Sequence, residues 1–221
     1  MNSHIHCGAF GASRWRLGIL LVLGLSLSAA WPWPYRPIAA QSTQAGTVQN
    51  VLGTLVVVRP DGVEERLQGK SPLQLFDWDV VRTEPASQAL IAIKDGIQVA
   101  LNEQSSLKIL SRWEKAKGVT RIIRLQQGEI WVKTGAGPKP LEVETPVATA
   151  AVRETEFSVK VLEDGQTILT VIQGVVEFGT AFGTCPIRAA TVSNGVRGKR
   201  CTKPEPTDVK PAIAWADAIL K

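Results

Sequence analysis

Short apolar runs separated by turn residues constrain the fold of this chain more than any other feature. From Gly46 to Thr180, runs rich in Val, Ile, Leu and Thr alternate with Gly, Pro, Asp or Asn at intervals of about ten residues. No long run with helical periodicity interrupts them before the C-terminus. The pattern predicts an all-β fold of many short strands, and it leaves a solenoid-like and a sandwich-like arrangement both open.

Several of the turns have a clear physical basis. Pro60-Asp61-Gly62 combines a residue that presets φ with one that accepts positive φ. Asp95-Gly96 and Asp164-Gly165 each separate two half-alternating apolar runs, which is the strongest short hairpin signal. Gly53 interrupts an apolar run and is a candidate bulge. We therefore predict hairpins at both Asp-Gly pairs.

A weak internal repeat underlies this pattern. Residues 122–134 align with residues 168–180, apolar on apolar at most core positions and Gln-Gly on Gln-Gly. Two stacked strand-Gly-strand units would bury faces that neither could bury alone. Chance similarity between hairpins explains the alignment equally well.

Residues 1–40 have the three-part pattern of a secretory signal. Arg14 and Arg16 precede an apolar run from Leu17 to Ala30, and small residues recur near Ala30 and Ala40. The run spans about 14 residues, short of the roughly 20 that a helix needs to cross a bilayer. We expect a cleaved signal and a periplasmic or otherwise exported protein. An uncleaved N-terminal anchor is the alternative, and it also implies export.

Loss of residues 1–40 would change the chemistry of the chain. Both histidines and one of the three cysteines lie there, and 22 basic residues would then face 20 acidic ones. Such a balance lacks the single-sign charge that favours nucleic acid or an anionic membrane surface. Cys185 and Cys201 remain, and in an oxidising compartment they are expected to form a disulfide worth roughly 3 kcal/mol. Two reduced, unrelated thiols are the alternative.

The remaining residue types exclude the common catalytic centres. Without histidine, His- and Cys-ligated zinc sites and Ser-His-Asp or Cys-His hydrolysis are not available. Residues 195–200 carry glycines and a lysine but lack the spacing of a phosphate loop, so they indicate a basic turn. We expect no cofactor, no metal and no enzymatic activity, although a carboxylate-based glycosidase stays open in principle.

The pattern also predicts how the chain is organised. A signal at 1–40 and a flexible lead-in at 41–45 precede a β domain at 46–180. A disulfide-stapled extension at 181–206, with a strand near residues 189–192, precedes a C-terminal helix at 207–221. In that helix apolar residues recur at helical spacing, with Asp208 or Thr207 as the cap: Ile213, Ala216, Ile219 and Leu220.

Four segments carry a resemblance to a known family. They are Arg59-Pro60-Asp61-Gly62, Trp78-Asp79-Val80-Val81-Arg82-Thr83, residues 89–96 and residues 145–159. The last, TPVATAAVRETEFSV, is similar to TPxAxxxVRGTxFxV, with Glu154 where the pattern favours glycine. The stretch 46–180 thus resembles the FecR domain, named for an iron-citrate sensor that relays a signal to a sigma factor. The resemblance implies an exported signalling domain, but too few residues precede Leu17 for the family's cytoplasmic region.

The motif residues are expected to have structural roles: Asp79, Thr83, Asp95, Gly96, Arg153, Thr155 and Phe157. Asp79 and Thr83 lie at the two ends of a short strand, where a carboxylate and a hydroxyl can satisfy turn amides. Arg153 is expected to form an ion pair, with binding of an anion as the alternative. Strand alternation places Arg153, Thr155 and Phe157 on one face, the last two turned inward, and Glu154 and Glu156 on the other.

Two functions remain open. In the first, the chain is a binding or signalling module whose patch of Trp78, Trp113 and Trp131 contacts an envelope protein or glycan, without nucleic acid. In the second, it is an envelope scaffold that assembles through strand edges or sheet stacking. Contact with the membrane is expected only through an uncleaved signal.

Overall fold

The computed structural model describes residues 43–115, 118–135 and 140–221. The predicted signal and residues 41–42 of the predicted lead-in lie outside these residues, and the described residues belong to one unit, Ala40–Lys221. Gln44 and Ala45, which were expected in the flexible lead-in, instead belong to the first strand, and Ala45 is fully buried. The strands are β1 Gln44–Val58, β2 Glu64–Gly69, β3 Leu73–Phe76, β4 Val80–Thr83, β5 Gln88–Ile93, β6 Ile97–Leu101, β7 Ser106–Glu114, β8 Gly118–Lys133, β9 Leu141–Glu144, β10 Ala148–Val152, β11 Glu156–Val161, β12 Thr167–Gln173, β13 Val175–Thr180, β14 Gly183–Arg188, β15 Thr191–Gly195 and β16 Glu205–Pro206.

Six strands close into a ring around the first part of the core. The order is β1-β5-β6-β8-β7-β4, and β4 pairs back to β1 with antiparallel ladders throughout. Strands β2 and β3 add to the other edge of β1. Alternate side chains fill the interior because successive residues of a strand point to opposite faces. Leu55, Ile91, Val99 and Ile123 are examples, all fully buried.

The remaining strands form two sheets that both start at the long strand β8. One runs β8-β9-β10-β13-β14 and contains the parallel pair β8–β9. The other runs β8-β11-β12-β15-β16. Phe157 and Phe178 are among the largest buried side chains between them, and the core is continuous with that of the ring. The all-β prediction is confirmed, with a closed ring and added strands in place of a solenoid.

The hairpins predicted at the Asp-Gly pairs are present. Asp95 and Gly96 have φ of 70° and 75°, and they join β5 to β6 in direct register. Gly165 has φ of 81° between β11 and β12, where the Leu162 amide donates to the Gln166 carbonyl oxygen. Both turns contain positive φ, at Asp95 and Gly96 in the first and at Gly165 in the second, which explains the glycine in each.

Three glycines at bends of the chain pack against a hydroxyl residue of a neighbouring turn: Gly53 within β1, Gly128 within β8 and Gly174 between β12 and β13. At Gly128, with φ of 90°, an added Cβ would lie 2.4 Å from Ser105 Cα. Gly53 faces Ser87 and Gly174 faces Thr155 in the same way. The residue before each hydroxyl also has positive φ: Ala86, Gln104 and Glu154. The two copies of the repeat, 122–134 and 168–180, therefore have the same bend, at Gly128 and at Gly174. Gly53, which lies outside the repeat, has a bend of the same kind.

The signature segment 145–159 is two strands and not one. Strand β10 ends at Val152, a turn follows, and β11 begins at Glu156. Thr155 and Phe157 are buried as expected, whereas Arg153 is exposed in the turn and pairs with no carboxylate within 4.0 Å among the described residues. Simple alternation fails here because Glu154 has φ of 51°, which redirects the chain.

The extension at 181–206 pairs directly with the sheets, as β14 on β13 and β15 on β12. The strand expected near residues 189–192 is instead a turn at Ala189 and Ala190 followed by β15. Cys185 and Cys201 form the expected disulfide, with their Cα atoms 6.3 Å apart. The bond joins β14 to the segment that follows β15.

The C-terminal segment is helical, as predicted. Helix α1 Lys210–Ile213, a 3-10 turn at Ala214–Ala216 and helix α2 Asp217–Leu220 follow one another. Asp208 Oδ1 accepts from the Lys210 amide at 3.0 Å, although the N-cap position of α1 is Val209, which makes no side-chain capping bond. No helix in the described ranges is long and apolar enough to cross a bilayer.

This helical segment covers a face of the sheet and buries Trp131. The indole is 4 % exposed and packs with Ala100, Ala216 and Ile219. Its Nε1 donates to Glu156 Oε1 at 3.1 Å. The prediction that Trp131 belongs to an exposed patch is therefore wrong, because residues more than eighty positions later in the chain cover it.

Candidate interaction surface

A buried carboxylate at the start of β4 organises the turn between β3 and β4. Asp79 is fully buried, and its Oδ2 accepts from the Phe76 amide at 2.8 Å. Arg59 Nη1, from the end of β1, donates to the same oxygen. The guanidinium also lies 5.4 Å from the centre of the Phe76 ring. The charge pair thus joins the first hairpin to the β3–β4 turn.

Arg59 also forms an ion pair with a second carboxylate, that of Glu65, near the surface. Its Nε donates to Glu65 Oε1 at 2.8 Å. Burial alone lowers the pKa of Arg59, but the hydrogen bond to Glu65 and the charge of Asp79 outweigh it, so the pKa lies above its ordinary value. The guanidinium is therefore charged at every physiological pH, and Asp79 keeps its counterion.

The turn that Asp79 organises displays a tryptophan. Trp78 has φ of 78° and its side chain is 59 % exposed. Its amide donates to the Ile109 carbonyl oxygen at 2.7 Å, which fixes the turn against β7. Lys108 Nζ lies 6.0 Å from the centre of the indole. A large apolar side chain in a left-handed conformation is unusual, and such positions concentrate at functional sites.

A second exposed tryptophan lies on β7, the strand against which the turn with Trp78 is fixed. Trp113 is 71 % exposed and lies four residues beyond Ile109 on β7, about 13 Å along the strand. Between them Ser111 Oγ donates to Asp77 Oδ1 at 2.8 Å and accepts from Arg121 Nη1. Strand alternation places Lys108, which lies beside Trp78, and Trp113 on opposite faces of β7. We call the exposed region around β7 that carries Trp78, Lys108 and Trp113 the tryptophan surface.

The other motif residues support the frame. Thr83 Oγ1 donates to the Asn102 carbonyl oxygen at 2.6 Å and accepts from the Ser105 amide at 3.0 Å. Asp95 Oδ2 accepts from Arg121 Nε at 3.4 Å. Sequence reasoning missed Arg59 and Arg121 as partners of motif carboxylates, because their partners lie 20 and 26 residues away.

A polar groove of ≈ 570 Å³ lies beside the bend at Gly128. Glu129 of its lining accepts from Asn102 Nδ2 at 3.3 Å and from Ser158 Oγ at 3.4 Å, and it lies 3.7 Å from Lys160 Nζ. No group of three or more His, Cys, Asp or Glu side chains that could hold a metal occurs in the parts of the chain that the structure describes.

The model of the family described as FecR protein matches residues 79–177. This part of the chain is a FecR domain. The FecR domain begins at the buried Asp79, one residue after Trp78, and ends within β13. It therefore includes the bends at Gly128 and Gly174, Trp113 and the signature turn at Glu154.

Solved structures share this fold. Two crystal structures of a candidate anti-sigma factor from Parabacteroides distasonis ATCC 8503, at 1.65 and 2.50 Å resolution, superpose with a TM-score of 0.54 and 18 % identity. The matches cover 62 % of this chain and 64 % and 63 % of those chains, so it spans less than two thirds of their length. No curated protein matches the chain significantly.

Proposed function

We propose that this FecR-domain protein is an exported, non-catalytic signalling module that binds an envelope protein through its tryptophan surface. The observation that carries the proposal is the display of Trp78 on a turn that a buried ion pair holds in place. Exposed aromatic side chains on a rigid frame are typical anchors of protein interfaces, because they bury a large area at little entropic cost.

The fold supports a role in signalling. The chain is similar in fold to a candidate anti-sigma factor, and its FecR domain belongs to a family named for a signal-relay protein. The carboxylates of the family motif are engaged in structural contacts, Asp79 with Arg59 and Asp95 with Arg121. Such contacts support recognition rather than chemistry as the task of the domain.

A scaffold that assembles through strand edges is less well supported. Strand β14 lies at the end of its sheet and carries Pro186, which cannot donate to an added strand. Strand β2 presents Glu64, Glu65 and Arg66 at another edge. Charges and proline at edges protect against edge-to-edge pairing, so these strands are poor assembly sites.

The test is capture of envelope proteins by the full chain and by the double variant Trp78→Ala/Trp113→Ala. We expect a partner that the wild type captures and the double variant captures at least about tenfold less, since truncation of a single anchor already costs about 1.4 kcal/mol or more. The matched control is Leu52→Ala/Val63→Ala, which removes two other exposed apolar side chains and should capture normally. Equal capture by both double variants, or binding to purified peptidoglycan alone, would contradict the proposal.

A further inference from the structure

The loops around β13, β14 and β15 form a cationic surface separate from the tryptophan surface. We propose that it binds an acidic peptide segment of a partner protein, with an apolar side chain of the peptide seated between Phe182 and Val196. We call Pro146, Val147, Phe182, Val196, Arg197 and Lys199 the basic surface; together with neighbouring residues they line a pocket of ≈ 360 Å³. The inference goes beyond the proposed function and does not depend on it.

The first argument is charge. Residues 178–204 contain five basic residues and no acidic one: Arg188, Arg197, Lys199, Arg200 and Lys203. None of the five lies within 4.0 Å of a carboxylate in the described part of the chain, whereas Arg59, Arg66 and Arg82 do. Unpaired cations on one segment attract a partner of opposite charge and accelerate its association.

The second argument is rigidity. The Cys185–Cys201 disulfide joins β14 to the segment that carries the cations. Arg200 Nη2 donates to the Thr184 carbonyl oxygen at 2.9 Å, and Thr180 Oγ1 donates to the Lys199 carbonyl oxygen at 2.8 Å. A surface held in this way loses little conformational entropy on binding.

The third argument is shape. Phe182 is 60 % exposed beside the pocket, and most of the pocket lining is apolar. A concave apolar site rimmed by cations suits an apolar side chain flanked by carboxylates. A flat bilayer surface cannot enter such a pocket. Glu163 and Asp164 lie in the neighbouring β11–β12 turn, whose Gly165 packs beside Pro146, so the partner's carboxylates are directed away from that turn.

The experiment selects peptides from a random library on the full chain purified from cells. We expect selected peptides to combine an apolar residue with flanking Asp or Glu. Fluorescence anisotropy with the synthetic consensus peptide then gives Kd for each variant. The double variant Arg197→Ser/Lys199→Ser should raise Kd about tenfold or more, and Phe182→Ser severalfold. Raising NaCl from about 50 to about 500 mM should weaken wild-type binding strongly, because salt screens exposed charges.

Two controls decide the interpretation. Lys70→Ser/Arg153→Ser removes two exposed cations elsewhere and should change Kd less than about twofold. Trp78→Ala/Trp113→Ala should bind the peptide normally, so failure of the tryptophan-surface proposal would leave this one intact. Selection of peptides without acidic residues, or equal Kd for Arg197→Ser/Lys199→Ser and the wild type, would overturn the inference. Binding to phosphatidylglycerol vesicles in place of peptide, lost in the same variant, would overturn it in favour of a membrane.

Discussion

At the scale of single residues, two phenylalanines of this chain differ in burial, and they should therefore differ in their contribution to stability. Phe157 is fully buried in β11, in phase with Val159 and Val161, whereas Phe182 is exposed. Phe157→Ala should lower the free energy of unfolding by about 3 to 5 kcal/mol, and Phe182→Ala by less than about 0.5 kcal/mol. Denaturant unfolding of both variants checks this, and equal midpoints would mean that the register of β11 is misassigned.

Glu156 precedes Phe157 in β11, and alternation alone places its side chain on the opposite, outer face of the strand. Its side chain is largely buried, lies 3.3 Å from Lys133 Nζ and accepts from Trp131 Nε1. The carboxylate therefore holds the indole that the C-terminal helix covers. Glu156 lies on the face opposite to Phe157, as alternation predicts, but it is not freely solvated, because Lys133, its cross-strand partner, and Trp131 of the same strand cover its carboxylate.

Glu154 occupies a conformation that favours glycine. Its φ of 51° destabilises the folded state by about 1 to 2 kcal/mol for a residue with a Cβ. Glycine avoids this strain, but its greater freedom in the unfolded chain lowers the folding stability by about 0.5 to 1 kcal/mol. Glu154→Gly should therefore stabilise the domain by roughly 0.5 to 1 kcal/mol, measured as a higher Tm. The control is Arg153→Gly, at an exposed neighbour without positive φ, which should lower Tm. A lower Tm for both variants would show that the turn is not strained.

At the scale of elements, the two longest strands, β1 and β8, pair with different strands on either side of their glycine bends. The first half of β8 pairs with β7 and β9 and the second half with β6 and β11, on either side of Gly128. Strand β1 changes partners in the same way around Gly53. Each bend therefore connects sheets that a straight strand would leave apart.

Substitution of Gly128 tests this role. Gly128→Ala forces a Cβ to within 2.4 Å of Ser105 Cα in addition to the strain of positive φ, so we expect a loss of about 2 to 5 kcal/mol. Gly62→Ala isolates the strain, since φ is 87° but no atom lies within 4 Å, and it should cost about 1 to 2 kcal/mol. Thermal unfolding of the two variants gives the difference. Similar losses would mean that close packing at the bend contributes nothing.

At the scale of the whole molecule, export of the chain stays a prediction that rests on residues 1–40. Arg14, Arg16 and the apolar run to Ala30 predict removal of this segment by a signal peptidase. Mass spectrometry of the protein isolated from cells should give an N-terminus near Gln41 or Trp31. An intact Met1 in the cytoplasmic fraction would refute export and the envelope partner with it.

Local pattern alone determined the all-β class, the two Asp-Gly hairpins, the buried phase of Phe157 and the C-terminal helix. Each depends on residues within a few positions of one another, where φ preference and alternation act directly. The FecR resemblance was likewise readable, because its motif residues are contiguous along the chain. The repeat between 122–134 and 168–180 indicated the positions of two bends, but it did not predict the hydroxyl residues, Ser105 and Thr155, against which their glycines pack.

Tertiary structure decided the rest. Closure of the ring requires β1 to pair with β4 and β5, Arg59 reaches Asp79 across 20 residues, and Trp131 is covered by a helix from the end of the chain. Local pattern does not encode such choices, because backbone hydrogen bonds are alike for every strand and the partner is selected by how the whole core packs. For the same reason Trp78 and Trp113 stay exposed while Trp131, no less apolar, is buried.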